Sequence, residues 1–195
     1  EAMAALEEKY GLDKPLSEQY VTYMKGLLKG DFGDSAKQRG RSVASIIETK
    51  FPVSARLGGL AVVTSLLIGV PLGCIAALKR GKAVDNIIIV IATCGIAVPS
   101  FVICTLLLYI FGVKLNVLPT YGLETPLHYI MPIMALAFYP TAYITRLMRS
   151  SMLDVLGQDY MRTAKAKGLS QTVSLFKHAL RNAILPVVTY VGPML

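Results

Sequence analysis

Three long stretches of the chain carry no Asp, Glu, Lys or Arg: Leu57 to Leu78, Ile87 to Val113, and Leu127 to Thr145, the last with His128 at its edge. At about 1.5 Å of rise per residue, the first reaches roughly 33 Å as a helix, enough to cross the hydrocarbon core of a bilayer. A soluble protein can own one buried helix of this kind; three in succession, separated by short polar loops, predict membrane spans at 57–78, 87–113 and 127–145. The second run is long, so a tilt or a kink near Gly95 and Pro99 is expected. A fourth apolar run, 184–195, reads as the start of another span. Both ends of the chain look cut: it begins at Glu1 and stops inside that apolar run.

The first 55 residues are different in kind. Pro15 sits where a helix can start, and Leu16, Tyr20, Tyr23, Met24, Leu27 and Leu28 then recur at roughly helical spacing. The run Gly30-Asp31-Phe32-Gly33-Asp34-Ser35 ends that helix in a turn-rich loop. A short amphipathic stretch from Val43 to Ile47 leads to Phe51-Pro52. There are too few apolar residues here for an independent core, so 1–55 reads as an amphipathic segment packed on a membrane domain, 56–195.

Composition agrees with this division. Hydrophobic residues are 54% of the chain and charged residues 16%, against about 25% charged in an ordinary soluble domain; mean hydropathy is +0.55. The net charge of +8 would suggest nucleic acid if it were concentrated on one soluble module. It is not. Residues 1–56 hold nine basic and eight acidic side chains, and the excess lies at Lys79, Arg80 and Lys82 and in the seven basic residues of 146–181. Basic residues confined to alternate loops are a topology signal that places 79–82 and 146–181 in the cytoplasm, with 1–55 and 114–126 outside. No nucleic-acid partner is expected. If the native chain starts in the cytoplasm, an outward-facing amino-terminal segment leads to the expectation of a span before Glu1.

Reaction chemistry is hard to find. The sequence contains no His-Glu-x-x-His, no Gly-x-Ser-x-Gly and no Gly-Lys-Ser/Thr phosphate loop, and its two histidines, His128 and His178, lie far apart. Cys74, Cys94 and Cys104 sit inside apolar runs without ligand spacing and read as small buried hydrophobes. Hence no enzyme activity, metal or cofactor is expected. The spans also lack the intramembrane acids and bases that proton-coupled carriers use, so any transport would take its energy from outside the bilayer.

The most informative segment is the long basic loop. Asp159 near a helix start, and Lys165 and Lys167 near its end, suit the helix dipole. Leu156, Tyr160 and Ala164 share one face, and small Thr163 and Ala164 permit close approach. Gly168 can take the left-handed conformation that ends a helix. Ser170 can then cap a second helix through Leu180, with Val173, Phe176 and Leu180 on one face. The product is a helix–Gly–helix hairpin. Physics alone leaves open an interfacial loop that binds anionic membrane lipid.

The run from Tyr160 to Ser170, followed by His178-Ala179-Leu180-Arg181-Asn182-Ala183 and Leu185-Pro186, resembles the Glu-Ala-Ala-type loop of permeases from ABC importers. The version is that of the B-type subunit in the oligopeptide, dipeptide and nickel group. Gly11-Leu12-Asp13-Lys14-Pro15, Gly30 to Ser35, Gly69-Val70-Pro71-Leu72-Gly73, Pro99-Ser100-Phe101 and Leu156 to Tyr160 agree with that pattern, so the likeness runs nearly the whole chain. Arg162 and Thr163 stand where the wider family has Glu and Ala, and His178 and Arg181 where it has Ile and Pro.

The resemblance implies an all-α, polytopic transmembrane domain of the type I importer class, truncated here at both ends, in a bacterial-type inner membrane. It implies a translocation subunit for oligopeptides or dipeptides, with nickel or another small solute as the alternative and an ATPase-independent carrier or a scaffold as readings from other classes. The implied partners are a second homologous permease, two cytoplasmic ATPase subunits that hydrolyse the ATP, and an extracytoplasmic substrate-binding protein. Arg162, Thr163, Ala164, Gly168, Leu169, Ser170, Gln171, Val173 and Phe176 would then meet an ATPase, while Pro99, Pro132 and Pro140 would kink helices near the pathway.

Overall fold

The computed structural model describes residues 11–38 and 40–194, leaving the first ten residues of the predicted outer segment and the last of the fourth apolar run outside it. Among the described residues the regular structure is helical, apart from one isolated bridge between Asp34 and Ser42. By its contacts the chain falls into two units, Glu1–Ser54 and Ala55–Leu195.

In the first unit, α1 (Leu16–Leu28) starts behind Pro15, whose φ of −55° is fixed by its ring, and ends where Gly30 takes a φ of +80°. None of its residues is buried within this chain. The Asp31 carboxylate accepts from the Gly33 N–H at 2.9 Å, a local turn that explains why helix periodicity stops there.

α2 (Val43–Leu78) departs from the sequence expectation. The short stretch at Val43–Ile47 is not separate from the first span; one helix runs through Phe51-Pro52 into the apolar run. Next come α3 (Ala83–Ala97) and α4 (Ser100–Leu107), the latter continuing in a wider π-type turn, Leu108–Lys114. The anticipated tilt or kink in 87–113 is far sharper: the two halves bend by 100° at Val98-Pro99. Pro99 has no N–H to continue a helix and disfavours helical backbone at Val98, which is extended at ψ 124°. Among the described residues two helices, α2 and α5 (Pro126–Leu156), are long and apolar enough to cross a membrane unaided, and the bent pair makes a third if it counts as one span.

α5 begins in a capping box in which Thr125 and His128 satisfy each other's backbone ends. It contains Pro132 and Pro140 yet stays helical throughout, and it overruns the predicted span end, so 146–156 is helix rather than loop. After it come α6 (Asp159–Ala166), the short α7 (Gln171–Val173), a π-type turn at Ser174–Ala179, α8 (Leu180–Ala183) and α9 (Leu185–Val191).

Small residues set the packing of α2 on α5. A Cβ at Gly73 would lie 2.6 Å from the Met148 Cβ and 2.7 Å from the Thr145 carbonyl oxygen; one at Gly69 would meet Ile144 at 2.9 Å. Close backbone approach of this kind is how helices associate in lipid, where no hydrophobic gain drives them together. Buried Ser65 adds a polar link, donating to its own turn at Ala61 and across to the Ala137 carbonyl at 3.2 Å. Gly95 of α3 lies against Ala142 and Phe138 of α5 in the same manner.

Candidate functional site

The core of the second unit gathers at one end of α5. Ile144, Met148 and Met152 are fully buried and cluster with Ala77 of α2, Met161 of α6, Ala179, Ala183 of α8 and Val187 of α9. Three methionines are suited to this junction, because an unbranched thioether fills irregular gaps between elements that meet at several angles. The basic hairpin is thereby fused to the end of α5 by side chains as well as by the chain itself.

Each bend in the hairpin has a local cause. α6 closes at Gly168, whose φ is +76°, with the Leu169 N–H reaching back to the Ala164 carbonyl at 3.3 Å in the manner of a Schellman cap. Ser170 then accepts from the Val173 N–H at 3.4 Å, a weak cap for the return limb. Asn182 donates to the Tyr160 hydroxyl at 2.9 Å and ties the two limbs together. The Ser174 hydroxyl, inside the π-type turn, is buried and finds no hydrogen-bond partner among the described residues.

The predicted site residues divide by exposure. Ala164 is buried, with Met161 rather than Tyr160 as its companion on the inner face. Tyr160 lies outside, so the expected face Leu156–Tyr160–Ala164 is rotated by one residue. On the return limb, Ser174, Ala179 and Ala183 turn inward, whereas Val173 and Phe176, expected on one face with Leu180, are 41% and 63% exposed while Leu180 is half-buried. Leu169 is also exposed. Arg162 stands in water 3.6 Å from Asp159, a pair of little energetic weight at that exposure, and Thr163 bonds back to the Asp159 carbonyl. Ser170 is exposed; the side chain of Gln171 lies outside the described residues. The outer surface of the hairpin thus presents an apolar knuckle of exposed Leu169, Val173 and Phe176. The predicted kink residues stand apart from it: Pro99 at the 100° bend, Pro132 and buried Pro140 along α5.

Sequence reasoning missed one constellation. Asp85, 1% exposed in its side chain, receives the Arg149 guanidinium through two hydrogen bonds of 2.5 and 2.7 Å, and also accepts from the Gly81 N–H at 2.9 Å. This bidentate pair fastens the loop 79–82 and the start of α3 to α5, just above the methionine cluster. In the sequence Asp85 is only the one acid close behind Lys79, Arg80 and Lys82. The signal available was that a single acid in the first turn of an apolar helix needs a buried partner. The structure also brings the two basic loops to one end of the unit, since Ala77 and Leu78 share a cavity with Leu156, Met161 and Leu169. No group of three ligating side chains among the described residues is placed to hold a metal ion.

Apolar helices of spanning length, glycine seams and a compact interhelical hairpin define a multi-pass helical membrane domain. Residues 69–195 match the family described as binding-protein-dependent transport system inner membrane component, and the chain belongs to that family. It is 47% identical over 189 residues to a dipeptide transport system permease protein of Bacillus subtilis strain 168. It is 44% identical over 195 residues to an oligopeptide transport system permease protein of Haemophilus influenzae, and 42% identical to one of Escherichia coli K12. These alignments cover 97% to 99% of this chain, and the chain spans 61% to 64% of those relatives' length.

Proposed function

We propose that this chain is part of the translocation subunit of an ATP-driven importer of dipeptides or oligopeptides. It pairs with a second homologous permease, receives substrate from an external binding protein, and is driven by two separate ATPase subunits. Support for the substrate class comes from relatives named for dipeptide and for oligopeptide transport, aligned over nearly all of this chain. On this reading residues 1–55 lie outside the membrane, 56–195 form the transmembrane domain, and 146–181 faces the cytoplasm.

The observation that carries the coupling role is the knuckle itself. Leu169, Val173 and Phe176 are apolar and exposed on a hairpin whose inner face is sealed into the core with α5. Water is a poor neighbour for that surface, and a groove on an ATPase is a good one. Closure of the ATPase pair on ATP would displace the knuckle, and α5 would follow through the shared core. The energy transmitted is the difference in contact between two states.

The test places single cysteines at Ser170 or Val173 in the full-length permease with Cys74, Cys94 and Cys104 removed, assembled with its own ATPases. A crosslink to the ATPase whose yield changes with ATP is expected. Absence of any adduct along 169–176 would remove the coupling claim.

A further inference from the structure

Arg146 and Arg149 are one turn apart on α5 and have opposite fates. Arg149 is held by Asp85. Arg146 is exposed and has no hydrogen bond or ion pair among the described residues. Above it on the same face stand Tyr143 and Tyr139, whose rings stack at 6.4 Å, and Tyr190 of α9 stacks on Tyr143 at 4.3 Å. Tyr139, Tyr143 and Arg146 line a concavity of about 330 Å³ together with Ile96 and Leu147.

With a span at 127–145, Tyr139 is the unusual member of this row. Seven residues of helix put Tyr139 about 10 Å from Arg146 along the axis. Tyrosines of the interfacial belt sit at headgroup level, so a phenol that deep in a span is misplaced against lipid. Polar groups at that depth face a bundle interior or a water-filled cavity and mark substrate paths.

We propose that Tyr139, Tyr143, Tyr190 and Arg146 form a water-lined contact strip for the travelling peptide, with Arg146 receiving its terminal carboxylate. This rests on the peptide-importer reading above. Peptides of different sequence share only backbone amides and terminal charges. Phenol hydroxyls can donate to or accept from any amide, ring faces accept apolar side chains of many shapes, and an unpaired guanidinium attracts a carboxylate. The strip therefore suits a substrate recognised by class rather than by sequence.

Cysteines introduced as Tyr139→Cys and Tyr143→Cys in the full-length, otherwise cysteine-free permease, assembled with its partners in membrane vesicles, test this. Both are expected to react with water-borne methanethiosulfonates, and at Tyr143→Cys the anionic sulfonatoethyl reagent is favoured over the cationic trimethylammonioethyl one. Adding Arg146→Gln should lower that anion-to-cation rate ratio roughly five- to tenfold, as loss of one nearby charge in water predicts, and Arg146→Lys should restore it. Transported peptide at saturation should slow labelling. Reaction only with a lipid-phase maleimide would place the row against lipid and overturn the proposal. So would a ratio indifferent to Arg146→Gln, or labelling unaffected by peptide. Peptide uptake by the cysteine-free parent tests the importer reading separately, so the two failures are distinguishable.

Discussion

The glycines of α2 allow one substitution to be tried at three places on one helix with different outcomes. At Gly73 an added methyl would stand 2.6 Å from the Met148 Cβ, 2.7 Å from the Thr145 carbonyl oxygen and 3.1 Å from the Arg149 nitrogen. Ordinary carbon contacts are about 3.5–4.0 Å, so the helices must part by about 1 Å. Two of the three obstacles are backbone atoms, which cannot rotate away. Overpacking costs about 1–3 kcal/mol, and this site belongs in the upper half. Alanine offsets about 0.8–1 kcal/mol of that through helix propensity, so Gly73→Ala is expected to destabilise by about 1–2 kcal/mol. At Gly58, nothing lies within 4 Å of the added methyl. Only the propensity gain remains there, and Gly58→Ala should stabilise by about 0.8–1 kcal/mol. Because propensity cancels between the two, their difference isolates the packing cost, about 2–3 kcal/mol, or about 5–10 °C in melting temperature. Gly69→Ala, with contacts of 2.9–3.0 Å to Ile144 and Thr141, should fall between. The assay heats the full-length permease in detergent and reads the fraction still monodisperse. If Gly73→Ala melts at or above the parent, or moves with Gly58→Ala, the α2–α5 approach is not as close as described.

Three further outcomes follow from the same geometry. Asp85→Ala leaves the Arg149 guanidinium unpaired; breaking a buried pair costs about 3–5 kcal/mol, and because the Arg149 side chain keeps 27% of its surface exposed the loss should sit near the lower end. The double change Asp85→Leu with Arg149→Leu should recover most of the lost melting temperature, and a double variant no better than the single one would show that the pair is not the cause. Gly168→Ala forces a left-handed alanine at a cost of about 1–2 kcal/mol without any clash, so trypsin should cut faster at Lys167, with Gly168→Asn intermediate; an unchanged rate would deny the cap its role. Ser174→Ala removes a buried hydroxyl that has no partner among the described residues and should be neutral or stabilising by up to about 1 kcal/mol in the same heating assay, whereas a clear loss of stability would mean that the hydroxyl is bonded in the assembled protein.

Long apolar helices and the glycine turn of the hairpin were legible in the sequence because both depend on local rules. An uncharged run of spanning length has few alternatives to a membrane helix, and Gly168 between a Lys-rich helix end and a serine cap reads as a turn in any context. What was not legible depends on neighbours. Helical periodicity could not tell which side of α6 is covered, since Tyr160 and Met161 are both large and apolar; the answer lies in Met152 and Ala77, which are distant in sequence. The size of the bend at Pro99 was hidden for the same reason, because proline permits a break without setting its angle. The 64-residue separation of Asp85 from Arg149 put that pair beyond any pattern of spacing.

The arrangement also constrains how force could travel if the hairpin is driven by an ATPase. The backbone between α5 and α6 breaks at Gly157-Gln158, which are outside both helices. A break of that kind can swivel, so it transmits displacement poorly. Side-chain packing does not swivel: Met161, Ala179 and Ala183 share one buried cluster with Met148 and Met152, so a push on the knuckle would reach α5 through that cluster. From α5 it would pass to α2 across the glycine seam and to α3 through Asp85–Arg149. Close-packed helices shift as bodies rather than deform, so these elements would move together, carrying Arg146 and the tyrosine row with them. Enlarging the cluster's voids should then uncouple without unfolding. On the importer reading, replacing Met161, which is 2% exposed, by alanine is expected to lower peptide uptake per ATP hydrolysed in the assembled transporter, more than it lowers ATP hydrolysis itself. Equal losses in both would mean that the path runs through the backbone after all.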